Sequence, residues 1–144
     1  LQWIPSSCKT GLLPYGKIKE ITEDDPSLTY NTNNRHISRF VDTRVINNQS
    51  QWTRGLKLDK IYKIPISHGE GRFIINEEKY KELLKNGQIF SVYDINPNGS
   101  DYNIEGILSK DGKILGRMGH LERLDDDLYK NIYEKNNQEL FKMQ

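Results

Sequence analysis

"NIEGILSKDGKILGRM", residues 103–118, decides how the second half of this chain is read. Two alternating runs meet at Asp111-Gly112, the dipeptide that a type I′ turn favours. The pattern predicts a β-hairpin whose second arm runs on to His120. Upstream, "QIFSVYDI" (88–95) reads as another strand, and so do "KIYKIPI" (60–66) and "RFVDTRVIN" (39–47). One helix is predicted among them, over 77–86. Asn76 is a good N-cap, Glu77 and Glu78 suit the positive end of the dipole, and Gly87 is a natural stop. Tyr80, Leu83 and Leu84 give that helix an apolar stripe. A C-terminal helix is predicted from Asp125, led by Asp125-Asp126-Asp127 and carrying the i,i+4 pairs Leu128/Ile132 and Tyr129/Tyr133. Residues 1–35 are weakly patterned because Pro5, Pro14 and Pro26 interrupt any helix. The sum is strands, a hairpin, one inserted helix and a terminal helix: a mixed α/β domain, or part of one.

Composition narrows the function classes. The 144 residues suit one domain, and 28% charged residues leave apolar material for a single core. A net charge of +1 gives no bulk electrostatic pull toward nucleic acid or an anionic membrane. There is no apolar run of bilayer length, and "LQWIPSSCKT", with no basic region and no apolar core, does not read as a secretory signal. One Cys among three His residues offers no metal-ligand spacing and no internal disulfide. A cytoplasmic setting follows as the expectation. The chain opens on "LQWIPSS" without an initiator Met, so residues 1–10 read as either non-native or remodelled.

The candidate chemistry begins with "MGHLERL" (118–124). In extended backbone, residues i and i+2 face one side, with Cα atoms roughly 6.5 Å apart. Glu122 can therefore orient His120, leaving one imidazole nitrogen as acid or base. The competing reading is a surface His beside a helix-leading Glu. In "SHGEGRF" (67–73), Gly69 and Gly71 allow close approach, and His68, Glu70 and Arg72 are candidate site residues. The plainer alternative is a loop with an internal Glu70–Arg72 or Glu70–His68 pair. "NPNGS" (96–100) reads as a turn, with Asn98 or Ser100 bordering a site. Cys8 is a poor nucleophile candidate, because too few residues precede it for a buried strand and elbow. His36 reads as a surface or supporting residue, and Trp3 and Trp52 as packing.

Taken in order, "SRFVDTRV", "IPISHGEGRF", "NGQIFSVYDINPNGSDYNIEGI" and "GKILGRMGHLERL" resemble the glutaminase part of phosphoribosylformylglycinamidine synthases, over residues of about 11 to 144. The resemblance implies the C-terminal half of a flavodoxin-like class I glutamine amidotransferase sandwich, a single partial domain. It implies a Cys thiolate that attacks glutamine, a thioester, and ammonia passed to a synthetase domain. There Mg-ATP activates formylglycinamide ribonucleotide for amidation in purine synthesis, so this domain itself is expected to need no cofactor. His120 matches the family's catalytic His and Glu122 its orienting Glu. Two departures stand out. The family's Pro-His-Pro-Glu-Arg is here Gly119-His120-Leu121-Glu122-Arg123. Its Cys-Asn-Gly-x-Gln elbow is expected just before Leu1, so these residues alone are expected to lack acyl transfer. An uncovered half-domain is also expected to expose apolar surface and a strand edge, and so to self-associate. The rival expectation is a non-catalytic folding or interaction module of the same fold; a free-standing small-molecule binder using "HGEGRF" and "NPNGS" is the third.

Overall fold

Alternation along 37–45 sets the first strand of the main sheet, β2 below, and the rest of the sheet is built onto it. The computed structural model describes residues 8–123, so the helix predicted from Asp125 lies outside the described residues. Its strands are β1 (Ser27–Thr29), β2 (Ile37–Val45), β3 (Ile61–His68), β4 (Arg72–Ile74), β5 (Ile89–Tyr93), β6 (Ile104–Leu108) and β7 (Leu115–Arg117). One helix, α1, spans Glu77–Lys85, and an irregular turn with Leu13 in extended conformation covers Leu12–Tyr15. β1 and β4 form a small antiparallel pair. The other five strands lie in the order β3-β2-β5-β6-β7. Every ladder among the described residues is antiparallel.

β2 shows why the sheet has an inside. Val41, Thr43 and Val45 are buried, while Asp42 and Arg44 alternate outward. Asp42 meets its cross-strand partner Lys63 at 2.7 Å, and Arg44 meets Asp94 at 2.7 Å. On β3 the inward set is Tyr62, Ile64, Ile66 and His68, all buried. Tyr62 and Ile64 join Val45 and Leu56 in one cluster, and Ile66 joins Val41 and Tyr93 in a second. The larger cluster lies on the other side of β5 and β6, where Phe73, Ile75, Leu83, Ile89, Ile104 and Ile107 pack with Cys8 and Leu13.

The sheet curls until its ends meet. Ile66 of β3 forms an antiparallel bridge with Gly119, just past β7. The His120 amide donates to the Pro65 carbonyl at 2.8 Å. A seam therefore joins the first and last strands of the order, and His120 sits on it.

The helix follows its caps closely. Asn76 accepts from the Lys79 amide at 2.8 Å. At the other end the Gln88 amide bonds the Leu83 carbonyl at 2.9 Å and Gly87 bonds Leu84 at 3.1 Å, with Gly87 at φ 66°. Leu84, expected in the apolar stripe, is 47% exposed; Tyr80 and Leu83 carry the packing face. The hairpin forms where expected, but its turn differs. Gly112 donates to the Ser109 carbonyl at 2.9 Å, so the turn is Ser109–Gly112. Gly112 has φ 69°, whereas Asp111 is not among the positive-φ residues that a type I′ pair requires. Ser109 Oγ donates to the Asp111 carboxylate at 2.6 Å and accepts from Ile114 N–H at 3.0 Å, which fixes this longer loop instead.

Candidate active site

Past β7 the chain crosses to β3, and the crossing sets the direction of each side chain that follows. Leu121 turns inward onto the Val45, Leu56, Tyr62 and Ile64 cluster. His120 and Glu122 flank it, in a 3-10 turn over Leu121–Arg123 whose Arg123 amide donates to the His120 carbonyl at 3.2 Å. His120 Nδ1 meets Glu122 Oε1 at 2.6 Å. A carboxylate only accepts, so Nδ1 carries the hydrogen and Nε2 presents its lone pair. His120 is 7% exposed, while the Glu122 side chain is 53% exposed. Partial burial works against the Glu122 charge, but the bond from His120, a backbone hydrogen bond and the charge of His120 together outweigh it and hold the carboxyl below its ordinary range. The pair expected from spacing is thus assembled, with the carboxylate ionised and one imidazole nitrogen left for chemistry.

The "HGEG" and "NPNGS" segments are brought together, and a third segment ties them. Asn31 donates through Nδ2 to the carbonyls of Arg35 and His68, both at 2.8 Å. Its Oδ1 then faces His68 Nδ1 at 3.1 Å and the Gly71 amide at 3.3 Å. Asn98 Nδ2 donates to the Gly71 carbonyl at 2.7 Å, and Asn98 Oδ1 accepts from the Ser100 hydroxyl at 2.7 Å. The Ser100 hydroxyl accepts from Phe73 N–H at 3.0 Å. Arg72 Nε donates to the Gly99 carbonyl at 3.1 Å. Gly71 packs on the His68 ring so closely that any Cβ would collide with it. Asn98 and Ser100, read from the sequence as turn residues that border a site, are thus buried struts. Glu70 is exposed, and His68 and Arg72 spend their bonds on Asn31 and Gly99 instead of on Glu70. Asn31 was missed because "TYNTNNR" reads as an ordinary polar loop; its complete burial was not signalled. His36 does find a partner, Ser67 Oγ at 2.9 Å across the sheet.

His68 is the electrostatically unusual member. Burial pushes its pKa down to about 4, with the His36 and His120 charges adding to the effect. Asn31 Oδ1 fixes the hydrogen on Nδ1, and Nε2 is buried with no hydrogen-bond partner among the described residues. The unfolded imidazole takes up a proton near its ordinary value of 6.5, which the folded one refuses until about 4. Its contribution is therefore present above pH 6.5 and lost as pH falls through that window, by about 3 kcal/mol in all. Urea unfolding between pH 7 and pH 4 is expected to show this slope and His68→Gln to flatten it; an unchanged slope in the variant would refute the assignment.

Cys8 lies elsewhere, 2% exposed among Leu13, Phe73 and Ile75. Burial pushes its thiol up to about 12, so it supplies no thiolate at neutral pH. Trp3 falls outside the described residues, and Trp52 donates its indole N–H to the Lys113 carbonyl at 2.8 Å. No helix among the described residues is long and apolar enough to cross a membrane.

Comparisons with known proteins give the family of the chain. The model of the CobB/CobQ-like glutamine amidotransferase domain matches residues 7–144. The chain is 37% identical over 111 residues to the phosphoribosylformylglycinamidine synthase subunit PurQ of Aquifex aeolicus, covering 71% of this chain and 49% of that protein. It therefore spans about half the length of that curated relative. Among solved structures it is similar to PurLQS from Thermotoga maritima, with a TM-score of 0.63 and 30% identity over 72% of this chain and 45% of that one.

Proposed function

The chain belongs to the CobB/CobQ-like glutamine amidotransferase family, and from that premise we propose that it is the His–Glu half of a glutaminase site serving phosphoribosylformylglycinamidine synthesis. The observation that carries this reading is the 2.6 Å bond from His120 Nδ1 to Glu122. It leaves Nε2 able to take the proton of a thiol nucleophile and later return a proton to the leaving ammonia. Attack of a thiolate on the glutamine side-chain amide then gives a thioester and ammonia, and water releases glutamate. The partner is a synthetase that consumes the ammonia, with Mg-ATP chemistry belonging to that partner, and the setting is cytoplasmic.

Within this reading the thiolate is not Cys8. Glutamine, or an electrophilic glutamine analogue, is expected to leave Cys8 without an adduct by mass spectrometry. The full-length encoded protein, beside its synthetase, is expected to release ammonia and glutamate from glutamine. An adduct on Cys8 would overturn the assignment of the nucleophile; an inert full-length protein would favour a second reading, a non-catalytic module of the same fold. The one observation favouring that second reading is that the chain's single cysteine is buried.

A further inference from the structure

Behind the seam lies a charge pair that the acid–base reading does not use. Glu105 on β6 has a side chain 0% exposed, and that of Arg117 on β7 is 5% exposed. Arg117 grips the carboxylate with Nε at 3.0 Å and Nη2 at 3.1 Å. Ser91 Oγ donates to the same carboxylate. The remaining bond leaves the pair altogether: Glu105 Oε1 accepts the Gly119 amide at 2.8 Å. Gly119 fits there because it lacks a side chain, since a Cβ would press on Ile64 and come within 3.0 Å of Glu105 Oε1.

Stability is a weak reason to bury such a pair. Removing two charges from water costs much of what their attraction returns, and apolar residues of similar volume often do as well. The geometry suggests another use. The Gly119 and His120 amides are consecutive, and each is taken by a different strand: Gly119 by Glu105 of β6, and His120 by the Pro65 carbonyl of β3 at 2.8 Å. Two such anchors fix the rotation of the peptide from which the imidazole projects. We propose that Glu105, held in register by the Arg117 fork, is a positioning residue for His120: it fixes the Gly119 peptide so that Nδ1 meets Glu122 and Nε2 faces the reaction. The proposal rests on the reading of His120 and Glu122 as the acid–base pair.

The test separates positioning from mere support of the fold. In the ¹⁵N-labelled chain, the imidazole nitrogens of His120 report its tautomer, and hydrogen exchange reports the Gly119 amide. Glu105→Leu combined with Arg117→Met removes both charges and keeps the volume. That double variant is expected to fold, to exchange the Gly119 amide about 100-fold faster, and to show both His120 tautomers. A folded double variant with one tautomer and an unchanged Gly119 amide would overturn the proposal. If the double variant does not fold, Glu105→Gln decides: its carboxamide has a single acceptor oxygen to share between Arg117 and Gly119, so faster Gly119 exchange is expected and unchanged exchange overturns the proposal. If the unaltered chain already shows both tautomers at neutral pH, the acid–base reading fails, while the Gly119 measurement still judges the anchor. In the full-length protein, Glu105→Gln is expected to lower kcat for glutamine hydrolysis with KM unchanged, because a misplaced base affects the reaction more than substrate binding.

Discussion

His120→Ala is expected to lower kcat for glutamine hydrolysis by about 10²–10⁴-fold in the full-length protein, the range that a positioned acid–base contributes. The substrate contact is untouched, so KM is expected to hold. Glu122→Gln makes a finer probe. The carboxylate accepts from Nδ1 at 2.6 Å and thereby leaves Nε2 without a hydrogen. A carboxamide presents a donor as well as an acceptor, so it admits the opposite tautomer, in which Nε2 carries the hydrogen and is no base. That variant is expected to keep its fold and lose most of its rate. Ammonia release under saturating glutamine, with circular dichroism as the control for folding, checks both. Activity retained by His120→Ala would remove the central assignment.

Arg117→Ala is expected to destabilise the fold by about 3–5 kcal/mol, the usual result of stranding one member of a buried ion pair. Glu105 would keep the Gly119 and Ser91 donors but lose both bonds from the guanidinium. Arg117 also lies 5.5 Å from the centre of the Phe90 ring, so packing is lost along with charge. Replacing both partners with apolar residues is expected to cost far less than Arg117→Ala alone. Urea unfolding of the single and double variants measures the difference; equal losses would mean that the stranded charge is not the cause.

The sequence was legible where structure is local. Alternation on β2, the Asn76 cap and the Gly87 stop each act within a few residues, and each element formed near its expected place. His120 and Glu122 were legible as a pair because they lie two residues apart, but the 3-10 turn Leu121–Arg123, not extended chain, brings them together. The buried network was not. Asn31, His68, Asn98 and Ser100 come from three segments that read separately as polar loops, and only tertiary packing makes their polar side chains struts. Glu105 and Arg117 were hidden for a different reason. In a flat hairpin Arg117 opposes Gly106, which places Glu105 on the other face. The β5–β6 ladder shifts register around Ser91, and such a bulge turns the strand. The charges can then meet, although parity alone denies it. A charged residue within each arm of an otherwise apolar hairpin was the available signal.

The seam between β3 and the segment past β7 also bears on how the molecule matures. Ile66 and Gly119 are among the more distant partners in the chain, and contacts that close such long loops carry a large entropic cost before they are rewarded. They are therefore expected to form late in folding, after the local hairpin and helix. His120 acquires its amide anchor only with that closure. A nascent or locally opened molecule holds the same His and Glu without their shared orientation. Completion of the sheet thus acts as a checkpoint for the shared orientation of His120 and Glu122.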